Sequence, residues 1–496
     1  MPLDFDKVLS VMQKEESQES NETPGLRRPR KRHISDSFIA TTFEELGTAP
    51  PKAFKEPKEK PYTPDEIDKL FEENPSFVTD FMNLGRAVES PSLFLVWGAL
   101  WTISSALNRN AWLNWYPRPM YPNIYVIFVA NAGVCKKSTP LEIGSALLME
   151  SQQNRLSNLD EFANEYRIIT SKSSPEGLFL MLKPEEKSFL DPKSVAPISV
   201  THDSKVAICI SELATFLGKQ QYNTGLINLL TDLYDCKDED AEVTRSRGME
   251  KLTNIYVTLA GAITPTGLRE SVPEEALSGG FLSRTIPVYQ ETPSKIYSRP
   301  QRLTGYPQIS DIAPKLAWIA NNCRGEYTFS PEAEEAFDKW YRGWKAQIIS
   351  DALLEHESRK DVHIRKVSML LRVADYSESH VIEKKHFMLA EKLVSFTLRR
   401  ANKVIAEVTT SEFIRQLESV EEFIQKRHTV SRKELVSRFS RNIRVDELNL
   451  MLTQLKQAEI IRITLDKQEL NAPSSVGREL YSYSSHEILP PEEVVF

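Results

Sequence analysis

Nine consecutive residues, Asn131-Ala132-Gly133-Val134-Cys135-Lys136-Lys137-Ser138-Thr139, follow directly on an apolar run from Asn123 to Val129. Small side chains let successive backbone N–H groups converge on phosphate oxygens. A lysine reaches the β- and γ-phosphates, and a serine or threonine hydroxyl ligates Mg²⁺ where a helix begins. Set against the pattern G-x-x-x-x-G-K-[ST], Asn131 and Lys136 take the glycine positions and Gly133 lies between them. Because Lys137 and Ser138 keep the hydroxyl next to a lysine, Lys137 is expected to be the phosphate lysine and Ser138 the metal ligand. Lys136 adds a second cation and is the alternative phosphate lysine. Without a nucleotide, the same stretch is a surface turn with two solvated lysines.

Three further patterns fit the same chemistry. Ile208-Cys209-Ile210-Ser211-Glu212 is an apolar strand ending at a carboxylate. Such a strand places one group beside hydrated Mg²⁺ and another against the attacking water. Ser211 holds the metal-side position and Glu212 the position of the general base, although a glutamate after a strand is also an ordinary solvated loop residue. Thr264 ends another apolar run before Pro265; it is placed to contact the γ-phosphate or the lytic water, or to open a turn before proline. Gly279-Gly280-Phe281-Leu282-Ser283-Arg284 sets an arginine just before a strand. That arginine suits either transition-state charge in a neighbouring subunit or a structural ion pair.

Strands alternating with helices must position these residues. Asn123–Val129, Val206–Ile210, Ile255–Ala260 and Thr285–Tyr289 read as strands, the first buried on both faces and the last, with Pro287, at an edge. Helical stretches such as 140–155 and 224–235 separate them, which predicts an α/β domain with a mainly parallel sheet. From about residue 306 to 407 the pattern is helical only. Beyond it come helices over 411–426, 431–439 and 445–458 and a strand over 460–465, the order of a winged helix-turn-helix. The predicted organisation is a disordered basic and polar tail (1–61) containing Arg27, Arg28, Arg30, Lys31 and Arg32, then an N-terminal helical segment (62–118). A phosphate-loop core (119–304), a helical lid (305–408) and a winged helix (409–496) follow.

The ordered set of motifs resembles the AAA+ P-loop ATPases. It is most similar to phage and mobile-element helicase-like replication proteins, with a lid and winged helix similar to those of minichromosome-maintenance helicases. The resemblance covers roughly residues 90–465, including Ile208–Gly218 and Leu229–Tyr234. It implies a P-loop NTPase core that binds ATP and Mg²⁺ through residues 131–139, Glu212 as base and Thr264 as the polar sensor. It also implies Arg284 as a finger reaching the next subunit, and Arg365, in competition with Arg359, Lys360 and Lys366, as the lid arginine. The implied function is an ATP-hydrolysing, hexameric helicase-like motor on DNA, single-stranded DNA above all, with priming left to a separate primase. A nucleotide-binding assembly or regulatory protein with a degenerate motor and a protein-docking winged helix is the other reading.

Composition narrows the classes. The chain has 496 residues, 41% hydrophobic and 26% charged, with a net charge of −7, so nucleic-acid binding must come from local patches. Arg438, Arg441, Arg444 and Lys456 are candidate DNA contacts around the helix that begins at Val445. Asp446 and Glu447 at its start oppose base-specific readout and leave protein docking open. The acidic stretch Asp232–Glu242, followed by Arg245 and Arg247, is a candidate pore or interface loop, or simply a solvated one. Four scattered cysteines with no C-x-x-C spacing suggest a reducing cytoplasm. The apolar run Leu93–Leu107 is too short for a bilayer span and reads as a buried helix, so no membrane partner is expected. The eight histidines form no metal-ligand pair, so Mg²⁺ bound with nucleotide is the one metal expected.

Overall fold

The computed structural model describes residues 69–71, 75–86, 88–153, 167–170, 174–189, 198–218, 224–244, 248–272, 280–293, 296, 307–351, 358–409, 412–440, 442–457, 460–466 and 478–483. The expected basic tail, Arg245, Arg247 and Arg441 lie outside them. Two compact units, 1–405 and 406–496, divide the chain.

At the centre of the first unit is a five-stranded, wholly parallel sheet: β1 (Tyr125–Val129), β2 (Arg167–Ile169), β3 (Lys205–Ile210), β4 (Tyr256–Ile263) and β5 (Thr285–Tyr289), in the order β5-β1-β4-β3-β2. Every residue of β1, β3 and β4 is buried, as expected where helices cover both faces of a parallel sheet. Pro287 sits in edge strand β5, where a missing N–H costs the ladder least. The connection leaving β1 runs past β4 and β3 to the far edge, whereas the one leaving β4 crosses β1 to the opposite edge. Adjacent strands whose connections diverge leave a crevice at their carboxyl ends, the place where open α/β sheets bind ligands.

Helices α1 (Phe77–Gly85), α2 (Ser92–Leu107) and α3 (Thr139–Gln153) pack together beside the sheet. All of α2 is buried, which explains its apolar composition on every side. Several of its polar side chains are satisfied internally: Ser104 Oγ donates to the Pro122 carbonyl (2.8 Å), Ser105 and Thr258 share a bond (2.7 Å), and Trp97 Nε1 donates to Thr397 Oγ1 (2.9 Å), whereas the buried Trp101 Nε1 makes no hydrogen bond. Among the described residues no helix is long and apolar enough to cross a membrane. Helices α2 and α3 approach closely at two glycines. A Cβ at Gly98 would lie 2.8 Å from Pro140, and one at Gly144 would lie 2.7 Å from Thr102 Oγ1.

Short helices α4 (Leu213–Leu217) and α5 (Pro265–Ser271) follow β3 and β4. Further on come α6 (Ile309–Asn322), α7 (Pro331–Asp351), α8 (Lys360–Ala374) and α9 (Lys384–Thr409). The expectation of helices alone in this stretch needs correction. Gly325–Phe329 is a strand, paired in parallel with Ala111–Leu113 on one side and Val381–Ile382 on the other. Its period-two pattern, with Tyr327 buried between exposed Glu326 and Thr328, is too short to stand out between long helices. The acidic stretch is also more ordered than a solvated loop. It runs from a helix end at Leu233 into the antiparallel hairpin Glu239–Thr244/Gly248–Thr253.

The second unit holds α10 (Glu412–Arg427), α11 (Arg432–Phe439) and α12 (Val445–Gln457). With them is an antiparallel sheet of β6 (Thr429–Ser431), β7 (Ile461–Asp466) and β8 (Arg478–Tyr483), with β8 in the middle. Leu435, Leu448, Met451, Leu452 and Leu455 form its core with Tyr481. Ser431 caps α11 in a reciprocal box with Glu434.

Candidate functional site

The loop after β1 stands at the carboxyl edge of the sheet, beside the end of β4: the Ala130 N–H donates to the Ile263 carbonyl across 3.3 Å. Asn131, Ala132 and Gly133 are exposed, Val134 is half-buried and Cys135 is fully buried. Gly133 has φ +75, and a Cβ there would meet nothing within 4 Å, so conformation rather than space calls for glycine. Lys136 also has positive φ, 43°. It occupies the second glycine position of the phosphate-loop pattern and adopts the left-handed backbone for which that glycine is ordinarily needed, at a cost of about 1 kcal/mol. The chain then enters α3, with the Glu142 N–H bonded to the Ser138 carbonyl (2.9 Å). Ser138 and Thr139 therefore sit at a helix N-terminus, half-buried, beside the loop mouth.

The two lysines diverge. Lys137 reaches back across the loop, its Nζ donating to the Asn131 carbonyl at 3.1 Å, whereas Lys136 Nζ points away to Glu89 (3.9 Å). Burial lowers the Lys137 pKa, and the Glu212 carboxylate, close enough to act on it, pulls it partly back. Glu212 is exposed at the end of β3, where its carbonyl accepts the Thr215 N–H (3.0 Å) and so starts α4. Ser211 beside it is also exposed. Thr264 follows β4 and caps α5: its Oγ1 accepts the Gly267 N–H at 3.0 Å. A hydroxyl that accepts there still has its proton to donate. Strand register thus gathers Lys137, Ser138, Glu212 and Thr264 along one edge, at the crevice between diverging connections.

Two features of this edge were not apparent in the sequence. Cys135 tethers the loop to the end of β5, its thiol directed at the Gln290 carbonyl (3.8 Å), and burial raises its pKa against the pull of Lys137. Gln290 in turn accepts Arg400 Nη2 at its side-chain oxygen (3.1 Å), while Arg400 Nε is buried and makes no hydrogen bond. Arg400, from α9, is a cation that stands next to the loop's anchor. Its only sequence signal is the Arg399-Arg400 pair inside a long amphipathic helix.

Arg365 is not in this group. Its guanidinium pairs with Asp361 (2.6 Å) and packs between the Trp115 and Phe337 rings. The next residue shows why: Lys366 Nζ donates to the carbonyl and side-chain oxygens of Asn123 (2.9 and 2.7 Å), which fixes α8 against the amino edge of the sheet. Arg284 is at that same edge, because β5 begins beside Tyr125, the first residue of β1. It bonds Asp235 (3.1 Å), whose other oxygen pairs with Arg359 (3.5 Å). Neither arginine can serve the phosphate loop of its own chain.

In the second unit, Arg444 forms two bonds to Glu447 Oε1 (3.1 and 2.8 Å), which hold that carboxyl below its usual range. Arg438 and Lys456 are exposed, and so are Val445 and Leu450 on α12. Among the described residues no three His, Cys, Asp or Glu side chains gather as a metal site. Ser138 at the head of α3 and the exposed Ser211 after β3 offer hydroxyl oxygens that would suit a hydrated Mg²⁺ whose other ligands would be phosphate oxygens and water. The chain matches no protein-family model, and no curated protein is similar to it.

Proposed function

We propose that the chain is an ATP-hydrolysing, helicase-like motor of the AAA+ type acting on single-stranded DNA, assembled as a ring, a hexamer in this reading, and serving phage or mobile-element replication. The observation that carries this reading is the strand order β5-β1-β4-β3-β2. It aligns the ends of β1, β3 and β4 and sets a lysine–serine pair, a carboxylate and a threonine around one crevice. Loop N–H groups and the α3 N-terminus would receive the phosphates, Lys137 would exchange the Asn131 carbonyl for phosphate oxygens, and Arg400 would approach from the lid. Mg²⁺ held by Ser138 and the phosphates would offset charge on the leaving group. Glu212 would take a proton from water as its oxygen bonds to the γ-phosphorus and the bridging P–O bond breaks. Thr264 would orient that water with the hydroxyl proton its cap leaves over.

The position of Arg284 supports a ring. An arginine at the edge opposite its own nucleotide can act only on a neighbour's, and a head-to-tail contact of this kind generates a ring where the rotation closes and a filament where it does not. The three helices and antiparallel sheet of 406–496 are compatible with a winged helix. The internal pairing of Arg444 and the apolar exposure of α12 favour a protein-docking role for that unit.

The test is ATP hydrolysis with and without single-stranded DNA, for the wild type and Glu212→Gln. DNA-stimulated turnover that the variant loses supports the motor. Nucleotide binding without turnover favours an assembly or regulatory protein with a degenerate motor, in which Ser211 in place of an acid has cost the chemistry.

A further inference from the structure

At the amino-edge side of the sheet, Leu113 and Met120 exchange both backbone N–H···O bonds at 2.9 Å. They close Asn114-Trp115-Tyr116-Pro117-Arg118-Pro119 into a loop stiffened by two prolines, and all of these residues are exposed. Tyr116 is 92% exposed and Trp115 43%. A turn of this length is easily made from glycine, asparagine and serine; large rings held in water on a stiff loop are unusual.

Trp115 packs on a buried guanidinium that also faces the Phe337 and Tyr341 rings. The Arg365 guanidinium lies 4.0 Å from the centre of its indole and 4.1 Å from that of Phe337. Phe337 stacks on Tyr341 with centroids 5.9 Å apart and planes 19° from parallel. Arg365 cannot swing out, because its side chain is buried and bonded to Asp361. The fixed guanidinium therefore holds the indole, which stays partly open to solvent. Arg118 adds an exposed cation on the same loop.

From this arrangement we infer that loop 114–119 is a stacking platform for single-stranded nucleic acid. Trp115 and Tyr116 each take a base, and Arg118 takes a backbone phosphate. Ring-on-base stacking suits a motor that must accept any sequence, and an adjacent arginine supplies the phosphate contact that positions the strand. A neutral apolar partner would cover the rings but leave Arg118 without a counter-charge, whereas a planar, anionic polymer satisfies both. The choice of nucleic acid over protein rests partly on the proposed function; the stack does not.

The experiment is fluorescence anisotropy of a fluorescein-labelled oligothymidylate against the full chain. Trp115→Leu is expected to weaken binding about 5- to 100-fold and Trp115→Phe much less, since stacking needs a π face rather than bulk. Tyr116→Ala, at a side chain almost wholly in water, is expected to weaken binding without touching the fold. Arg118→Ala should weaken it and flatten the salt dependence by about one phosphate contact. Unchanged affinity in Tyr116→Ala and Arg118→Ala overturns the inference, as does equal loss in Trp115→Leu and Trp115→Phe. ATP binding by the same proteins separates the two proposals. A chain that binds ATP but gains nothing from the loop refutes the platform alone. A chain that stacks oligothymidylate on Trp115 but binds no ATP refutes the motor alone.

Discussion

Arg284 Nη2 donates to Asp235 Oδ2 across 3.1 Å, and the same carboxylate also pairs with Arg359, so one acid serves two guanidinium groups. The pair sits where β5 begins, at the far edge of the sheet from the loop that would hold phosphate. A cation in that position is remote from its own subunit's loop and, in the proposed motor, would act on the nucleotide of a neighbouring subunit. Arg284→Ala is therefore expected to leave ATP affinity unchanged and to lower turnover about 1,000-fold or more. Mixing it with Lys137→Ala chains should restore part of the activity, because mixed rings contain some intact interfaces. Full activity of Arg284→Ala alone would reduce the residue to an ion pair.

Lys136 and Lys137 are adjacent in sequence and unequal in role. Lys137 Nζ lies across the loop on the Asn131 carbonyl, while Lys136 provides a left-handed backbone and points its ammonium at Glu89. Loss of a charge-assisted contact costs about 1.5–3 kcal/mol, so Lys137→Ala should weaken ATP binding at least tenfold in a calorimetric titration. Lys136→Gly should bind at least as well as the wild type, since it removes the backbone strain and keeps the loop. The reverse ranking would move the phosphate contact to Lys136.

How much of this was legible in the sequence depends on the length of the signal. β1, β3, β4 and β5 are runs of β-branched and aromatic residues, and the edge placement of β5 followed from Pro287. The three-residue β2 and the strand Gly325–Phe329 carry too few residues for a period to show. Glu212 and Thr264 were found because each ends an apolar run. Arg365, in competition with Arg359, Lys360 and Lys366, stood out near a helix start, whereas Arg400 lies deep in a long helix; the direction in which the Arg365 helix packs was set by Lys366 reaching Asn123, a contact 243 residues away in the chain. Ordering of strands in the sheet, which brings the site together, is likewise a long-range property with no local signature.

Gly144 lets α3 lie against α2. A Cβ there would stand 2.7 Å from Thr102 Oγ1 and 3.0 Å from the Trp101 ring, and Thr102 is held in place by its bond to the Gly98 carbonyl (2.8 Å). Gly144→Val should destabilise by about 1–3 kcal/mol, the usual range for overpacking, and should weaken ATP binding because the displaced helix carries Ser138. The control is Gly225→Ala, where the nearest atom to a new Cβ is 3.7 Å away; it should be neutral or stabilise by up to about 1 kcal/mol. Urea unfolding and ATP titration of both variants check the pair.

Lys366 gives the first unit a pH dependence of definite sign. Burial pushes its ammonium down to about 7, against the opposite pull of Cys236 and Asp235. An unfolded chain keeps that proton up to the ordinary lysine range, near about 10.4. Between the two values the unfolded state binds more protons than the folded one, so stability rises with pH, by ~1.4 kcal/mol per unit for this group alone. Above the ordinary range the effect levels off; below about 7 both states are protonated and the full cost of burying the charge persists. Subtracting Lys366→Met, which fills the same space without titrating, removes the contribution of other groups. The unfolding free energy of the wild type minus that of the variant should climb steadily from about pH 7 to about pH 9.5 in urea denaturation, and a flat difference would mean that Lys366 keeps an ordinary pKa in the fold.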